Sequence, residues 1–122
     1  MATTTVIISD PIGGKRYSDT AASNSAVIAV ATGTTVFHIE FDNTANSAVT
    51  YLKIYEATSV TLGTTEPSMI IKAAAATKEY VSIPMGVALA TGLGYVATTT
   101  ASNSAGSPAA PSNACGLTII YN

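Results

Sequence analysis

The chain has 122 residues, a net charge of −2 and only 10% charged side chains, against roughly a quarter in an average soluble domain. Its basic residues, Lys15, Arg16, Lys53, Lys72 and Lys78, form no dense stripe, which argues against nucleic-acid binding driven by phosphate contacts. No apolar run approaches the ~18 residues of a membrane-spanning helix, and one histidine and one cysteine leave little material for acid–base, metal or nucleophilic chemistry. The expectation is one domain that is not an enzyme and holds no cofactor or metal. Its surface of Ala, Thr, Ser, Asn and Gly is cheap to desolvate and suits lasting contact with other protein.

Residues 1–19 open the chain with no basic region or long apolar stretch of the kind that starts a signal peptide, so synthesis and assembly in a cytoplasm is expected. The short β-like run at residues 4–8 is followed by breakers at Asp10-Pro11 and Gly13-Gly14. This pattern predicts an N-terminal arm over 1–19 and a single β-sandwich domain over 20–122. Val6, Ile7 and Ile8 would add to a sheet edge of a neighbour, with Lys15 and Arg16 meeting carboxylates at the rim. Gly13-Gly14-Lys15-Arg16 lacks the spacing and terminal hydroxyl of a P-loop, and reads as a turn.

The next strand candidate is 26–31. Residues 36–42 then alternate strictly, with Phe37, Ile39 and Phe41 on one face and His38, Glu40 and Asp42 on the other, as in a strand with one buried side. The polar trio could ligate a divalent cation, but simple alternation already produces a solvated face. Residues 50–56 repeat the pattern: Leu52 and Ile54 point to the core, while Tyr51, Lys53 and Tyr55 form either a partner-binding face or the second buried face of a central strand.

Strands follow at 68–72, 80–83, 93–99 and 117–121. Ala73 to Ala76 is too short for an independent helix and reads as a connection, and Pro84-Met85-Gly86 reads as a breaker. The long Ser/Ala/Pro stretch 100–116 reads as a functional or mobile loop. Cys115 stands alone, without a basic neighbour to activate it, and reads as a structural thiol. A phrase recurs as Ser23-Asn24-Ser25-Ala26, Ala45-Asn46-Ser47-Ala48, Ser102-Asn103-Ser104-Ala105 and Ser112-Asn113-Ala114. It reads as turn chemistry, the side chains bonding the local backbone. About eight short strands at near-regular spacing predict an all-β antiparallel sandwich, jelly-roll-like.

The ordered set Phe41-Asp42-Asn43-Thr44-Ala45-Asn46-Ser47-Ala48, Tyr51-Leu52-Lys53-Ile54-Tyr55-Glu56-Ala57, Gly63-Thr64-Thr65-Glu66-Pro67, Ile83-Pro84-Met85-Gly86 and Thr91-Gly92-Leu93 resembles small virion structural proteins of tailed bacteriophages. The resemblance covers residues 41–99 and departs at Ala73 to Ala76, where those proteins tend to carry a Pro/Gly turn. It implies a phage particle component and no catalytic residues. The first expectation is a capsid decoration, or cement, protein on the capsid exterior. It would be a homo-oligomer, most simply a trimer, bound to the major capsid protein, with no nucleic-acid or membrane partner. The alternative is a tail, fibre or head-spike module for host adsorption or carbohydrate binding, with Tyr95 and Tyr121 as aromatic platforms.

Overall fold

A computed structural model describes residues 14–103 and 106–122. Its elements are β1 (Lys15–Ala22), β2 (Val27–Val30), β3 (Thr34–Asp42), β4 (Thr50–Tyr55), β5 (Met69–Ala73), β6 (Lys78–Leu89), β7 (Leu93–Thr98) and β8 (Cys115–Tyr121). No helix occurs among the described residues. The run Ala73 to Ala76 ends β5 and turns into β6, with Ala76 at a φ of 54°.

Two four-stranded antiparallel sheets form, a front sheet in the order β1-β8-β3-β6 and a back sheet in the order β2-β7-β4-β5. The pairings β1 with β8, β2 with β7, β3 with β6 and β4 with β5 are those of one long hairpin. Folding that hairpin over on itself adds the contacts of β3 with β8 and β4 with β7. This is jelly-roll topology, and the all-β sandwich expected from strand spacing is the fold.

Alternation fills the space between the sheets. Val36, Ile39, Phe41, Leu117 and Ile119 come from the front sheet, and Leu52, Ile54, Leu93, Tyr95 and Ala97 from the back. Phe37, expected among them, is only half-buried. It occupies a β-bulge, where register with both neighbours slips between Val36 and His38. The extra residue breaks the period-two count, so Val36 takes the inward place. The Phe37 ring lies beside Gly86, whose φ is +74° and where an added Cβ would approach Phe37 Cε1 to 2.8 Å.

Two boundaries also differ from the sequence reading. Lys15 to Asp19 are not arm but strand, in register with Leu117 to Tyr121, so the sandwich begins at least at residue 15 rather than 20. Tyr17 explains their docking, since it packs on the core from β1. The run at 4–8 lies outside the described residues. Pro84-Met85-Gly86 does not end its strand: β6 bulges there and resumes pairing at Val87 with Val36.

Candidate functional site

The two outer faces differ. On the back sheet, Lys53 and Tyr55 point away from the core, yet each is only 2% exposed. Other segments of the chain lie against this outer face. Lys53 Nζ donates to the backbone carbonyl of Ser102 at 2.6 Å, and an added Cβ on Gly94 would meet Val60 Cγ2 at 3.1 Å. Beyond them the chain doubles back, Thr99 N donating to Ala109 O and Asn24 Nδ2 to Pro108 O. Burial lowers the Lys53 pKa and raises that of the Tyr55 hydroxyl, with Glu66 adding to the latter. The strand 50–56 is therefore central and buried on both sides. Tyr51 is half-buried, and Lys53 and Tyr55 are covered by the protein's own loops.

The outer face of the front sheet stays open among the described residues. Register sets its rows: Arg16, Ile120, His38 and Ser82 in one, Ser18, Thr118, Glu40 and Tyr80 in the next, and Gly116, Asp42 and Lys78 in a third. Tyr80 is 58% and Met85 92% exposed. The Tyr80 ring lies 6.3 Å from that of His38, and His38 Nδ1 shares a hydrogen bond of 2.9 Å with Ser82 Oγ. Phe37 borders the same end of the face beside Gly86.

Charge on this face is partly compensated within it. Lys78 Nζ lies 3.4 Å from Glu40 and 3.8 Å from Asp42. The bond to Glu40 chiefly holds the Lys78 ammonium above its ordinary pKa. Asp42 is held below the usual carboxylate range first by the Thr44 hydroxyl and amide, with Lys78 contributing less. The trio His38, Glu40 and Asp42 does share a face, but its side chains are engaged by Ser82, Lys78 and Thr44. No metal-ligating cluster occurs among the described residues. Between this cluster and the exposed Arg16 lies a patch of tyrosine, methionine, isoleucine and small hydroxyls, a composition suited to protein contact.

The other candidate residues have these places. Lys15 and Arg16 are exposed at the start of β1, at the front sheet's edge, with Lys15 Nζ 5.9 Å above the Tyr121 ring. Val6, Ile7 and Ile8 lie outside the described residues. Tyr95 is wholly buried and cannot serve as a sugar platform. Its hydroxyl donates to Asp19 and accepts from Tyr17 at 2.7 Å. Burial first, then the bond to Asp19, drives its pKa far above the ordinary range.

Cys115 is buried, its thiol pushed up to about 11 mainly by burial, with Asp42 adding to the shift. It adjoins a polar knot that sequence reading took for local turns. Asn46 Nδ2 donates to Asn43 Oδ1 and to Asn113 O, both at 2.9 Å, while Asn113 N donates to Asn46 Oδ1 at 2.7 Å. The recurring Asn phrases thus join loops distant in sequence, and Asn24, bonded to Pro108, does the same.

Tyr80 and Met85 were missed as site residues because one stood in a short strand candidate and the other in an apparent breaker. The signal that could have exposed Tyr80 is its alternation with Val81, which packs on the core and so turns Tyr80 to the opposite face. The chain matches no protein-family model, no curated protein and no solved structure.

Proposed function

We propose that this chain is a virion structural protein of a tailed phage, a capsid decoration protein that seats the open outer face of its front sheet on the shell. One observation carries the reading. The back sheet's outer face is covered at Lys53 and Tyr55 by the protein's own segments, while the front sheet presents Tyr80 and Met85, the most exposed large apolar side chains, beside the Lys78, Glu40 and Asp42 cluster. Such a face loses little on desolvation and fits a protein surface such as that of the major capsid protein better than phosphate or lipid headgroups. The sequence resemblance over 41–99 and the low overall charge favour the same reading. No catalytic step and no cofactor are assigned.

Quantitative mass spectrometry of purified particles tests this. A copy number comparable to that of the major capsid protein supports decoration. A few copies per particle indicate a tail, fibre or spike part instead, and absence from particles overturns the virion assignment. Binding of the purified protein to undecorated shells should survive raised salt, because paired charges contribute little net attraction. The Tyr80→Asp, Met85→Asp double variant should lose shell binding while keeping its β spectrum. Full occupancy by that variant would exclude the front face.

A further inference from the structure

Each sheet of an open sandwich has two edges, and an edge strand offers unpaired backbone groups to any extended chain. Three of the four edges here are irregular. β1 slips register between Asp19 and Ala22, β2 slips between Ile28 and Val30, and β6 bulges through Ile83 to Gly86. Bulges of this kind twist an edge and discourage further pairing. β5 is different. Met69 to Ala73 pair with Thr50 to Ile54 without a shift, no proline interrupts them, and Ile70 is 43% exposed. Lys72 is the one charge on the strand.

We propose that β5 is an acceptor edge, and that its occupant is the N-terminal run Val6-Ile7-Ile8 of a second copy of this chain. The run and the edge match in chemistry: a short β-branched segment with no charge against a short straight strand with an exposed isoleucine. Added as a fifth strand of the back sheet, Val6 and Ile8 would lie on one face and Ile7 on the other, following the period of two, and backbone hydrogen bonds would supply most of the affinity.

Reach favours exchange between copies. β1 stands at one side of the sandwich and β5 at the other, in the opposite sheet. A path around the outside crosses three strand spacings and the thickness between the sheets, roughly 24 Å before any side chain is cleared. Fully extended, the seven residues from Ile8 to Lys15 would span at most about 25 Å, which leaves no slack for the turn-forming sequence Pro11 and Gly13-Gly14. A neighbouring copy abutting the β1 side removes the constraint. Donor segment and acceptor edge are different surfaces, so the contact is head-to-tail and generates a ring wherever its rotation closes. The expected trimer is one such ring. This inference does not rest on the decoration reading, since it concerns the protein with no shell present.

Two measurements on the full chain test it. Ile7→Cys protein and Ile70→Cys protein, each alone and then refolded together, are oxidised and resolved without reductant. Cys115 is buried and serves as an internal control for unfolding. A cross-linked heterodimer that appears only in the mixture is the expected result. Sedimentation at micromolar concentration should show an oligomer for the wild type and a monomer for Ile70→Lys with an unchanged β spectrum. A monomeric wild type, an Ile70→Lys oligomer, or a mixture without the heterodimer would each overturn the proposal. So would a double Ile7→Cys, Ile70→Cys chain that closes its disulfide only within itself.

Discussion

Asn43→Ala should be among the most damaging single substitutions in the protein, although it removes no apolar contact. Asn43 is fully buried, and its amide donates to Ala48 O and Ala74 O, both at 3.0 Å, with Ala73 O further off at 3.4 Å. Its carbonyl oxygen accepts from Asn46 Nδ2 at 2.9 Å. The side chain therefore holds the β3–β4 loop to the β5–β6 turn, and through Asn46 to Asn113 before β8. Alanine removes three good hydrogen bonds and strands their partners in a site that water reaches poorly. At about 1 kcal/mol net per bond, and more where a buried group is left unpaired, the loss is about 3–5 kcal/mol. That is a large fraction of the ~5–15 kcal/mol that stabilises a typical domain. The protein has six tyrosines and no tryptophan, so urea unfolding can be followed by tyrosine fluorescence. With a slope of about 1.5–2 kcal/mol per molar, the midpoint should fall by about 2 M. Asn113→Ala, which loses only the bond from its exposed amide to Ala45 O, should cost about 1 kcal/mol. Equal effects for the two variants, or a loss under 1 kcal/mol for Asn43→Ala at unchanged slope, would refute the three-loop knot.

Two further outcomes follow from the core. Phe41→Ala, at a wholly buried position, should cost about 3–5 kcal/mol in the same assay, and Phe37→Ala on the outer side of the bulge about half as much or less. Parity between them would mean that the bulge does not turn Phe37 outward. Cys115 gives a pH signature. Its folded pKa of about 11 lies above the ordinary thiol value of about 8.5, so its contribution is complete below that ordinary value. It is lost as pH rises through the folded one. Tyr95 and Tyr55 shift in the same direction and Lys53 in the opposite one. The test is therefore the difference in alkaline stability slope between wild type and Cys115→Ala. A flatter slope for the variant is expected, and parallel curves would count against a buried, protonated thiol.

What could be read from the sequence was local and periodic. Ile39 with Phe41, and Leu52 with Ile54, announce their inward faces by alternation alone, and enough such runs fix an antiparallel sandwich. β1 escaped because Lys-Arg-Tyr-Ser-Asp-Thr-Ala-Ala carries no apolar alternation. Its inward residues are Tyr17 and Asp19, which are tolerated there because Tyr95 supplies a hydroxyl to both. β6 was cut short for a related reason. Pro84 lacks an amide proton, but it falls in the bulge of an edge strand, where a missing donor costs the ladder nothing. Phe37 shows the limit of period counting itself, since a one-residue bulge leaves the composition of a strand unchanged and reverses the assignment of a face.

The candidate face was hidden for a different reason: coverage is not a property of a strand. Tyr51, Lys53 and Tyr55 have the same alternating signature as His38, Glu40 and Asp42, and by sequence either trio could face a partner. The difference arises where the β7–β8 connection lands. That landing is fixed by Ser102 O on Lys53 Nζ, Ala109 O on Thr99 N and Pro108 O on Asn24 Nδ2. All three acceptors are backbone carbonyls of a Ser/Ala/Pro stretch that has no periodicity to read. Lys53 illustrates the consequence. A lone lysine between tyrosines looks like a mark of solvent exposure, because burying an ammonium without a carboxylate is costly. Here the loop carbonyl accepts a hydrogen bond from the ammonium, burial lowers its pKa, and the same residue that suggested an open back sheet helps cover it. The open face is then the front one, where Lys78 lies between Glu40 and Asp42, and Tyr80 and Met85 are the exposed apolar side chains that a partner would meet.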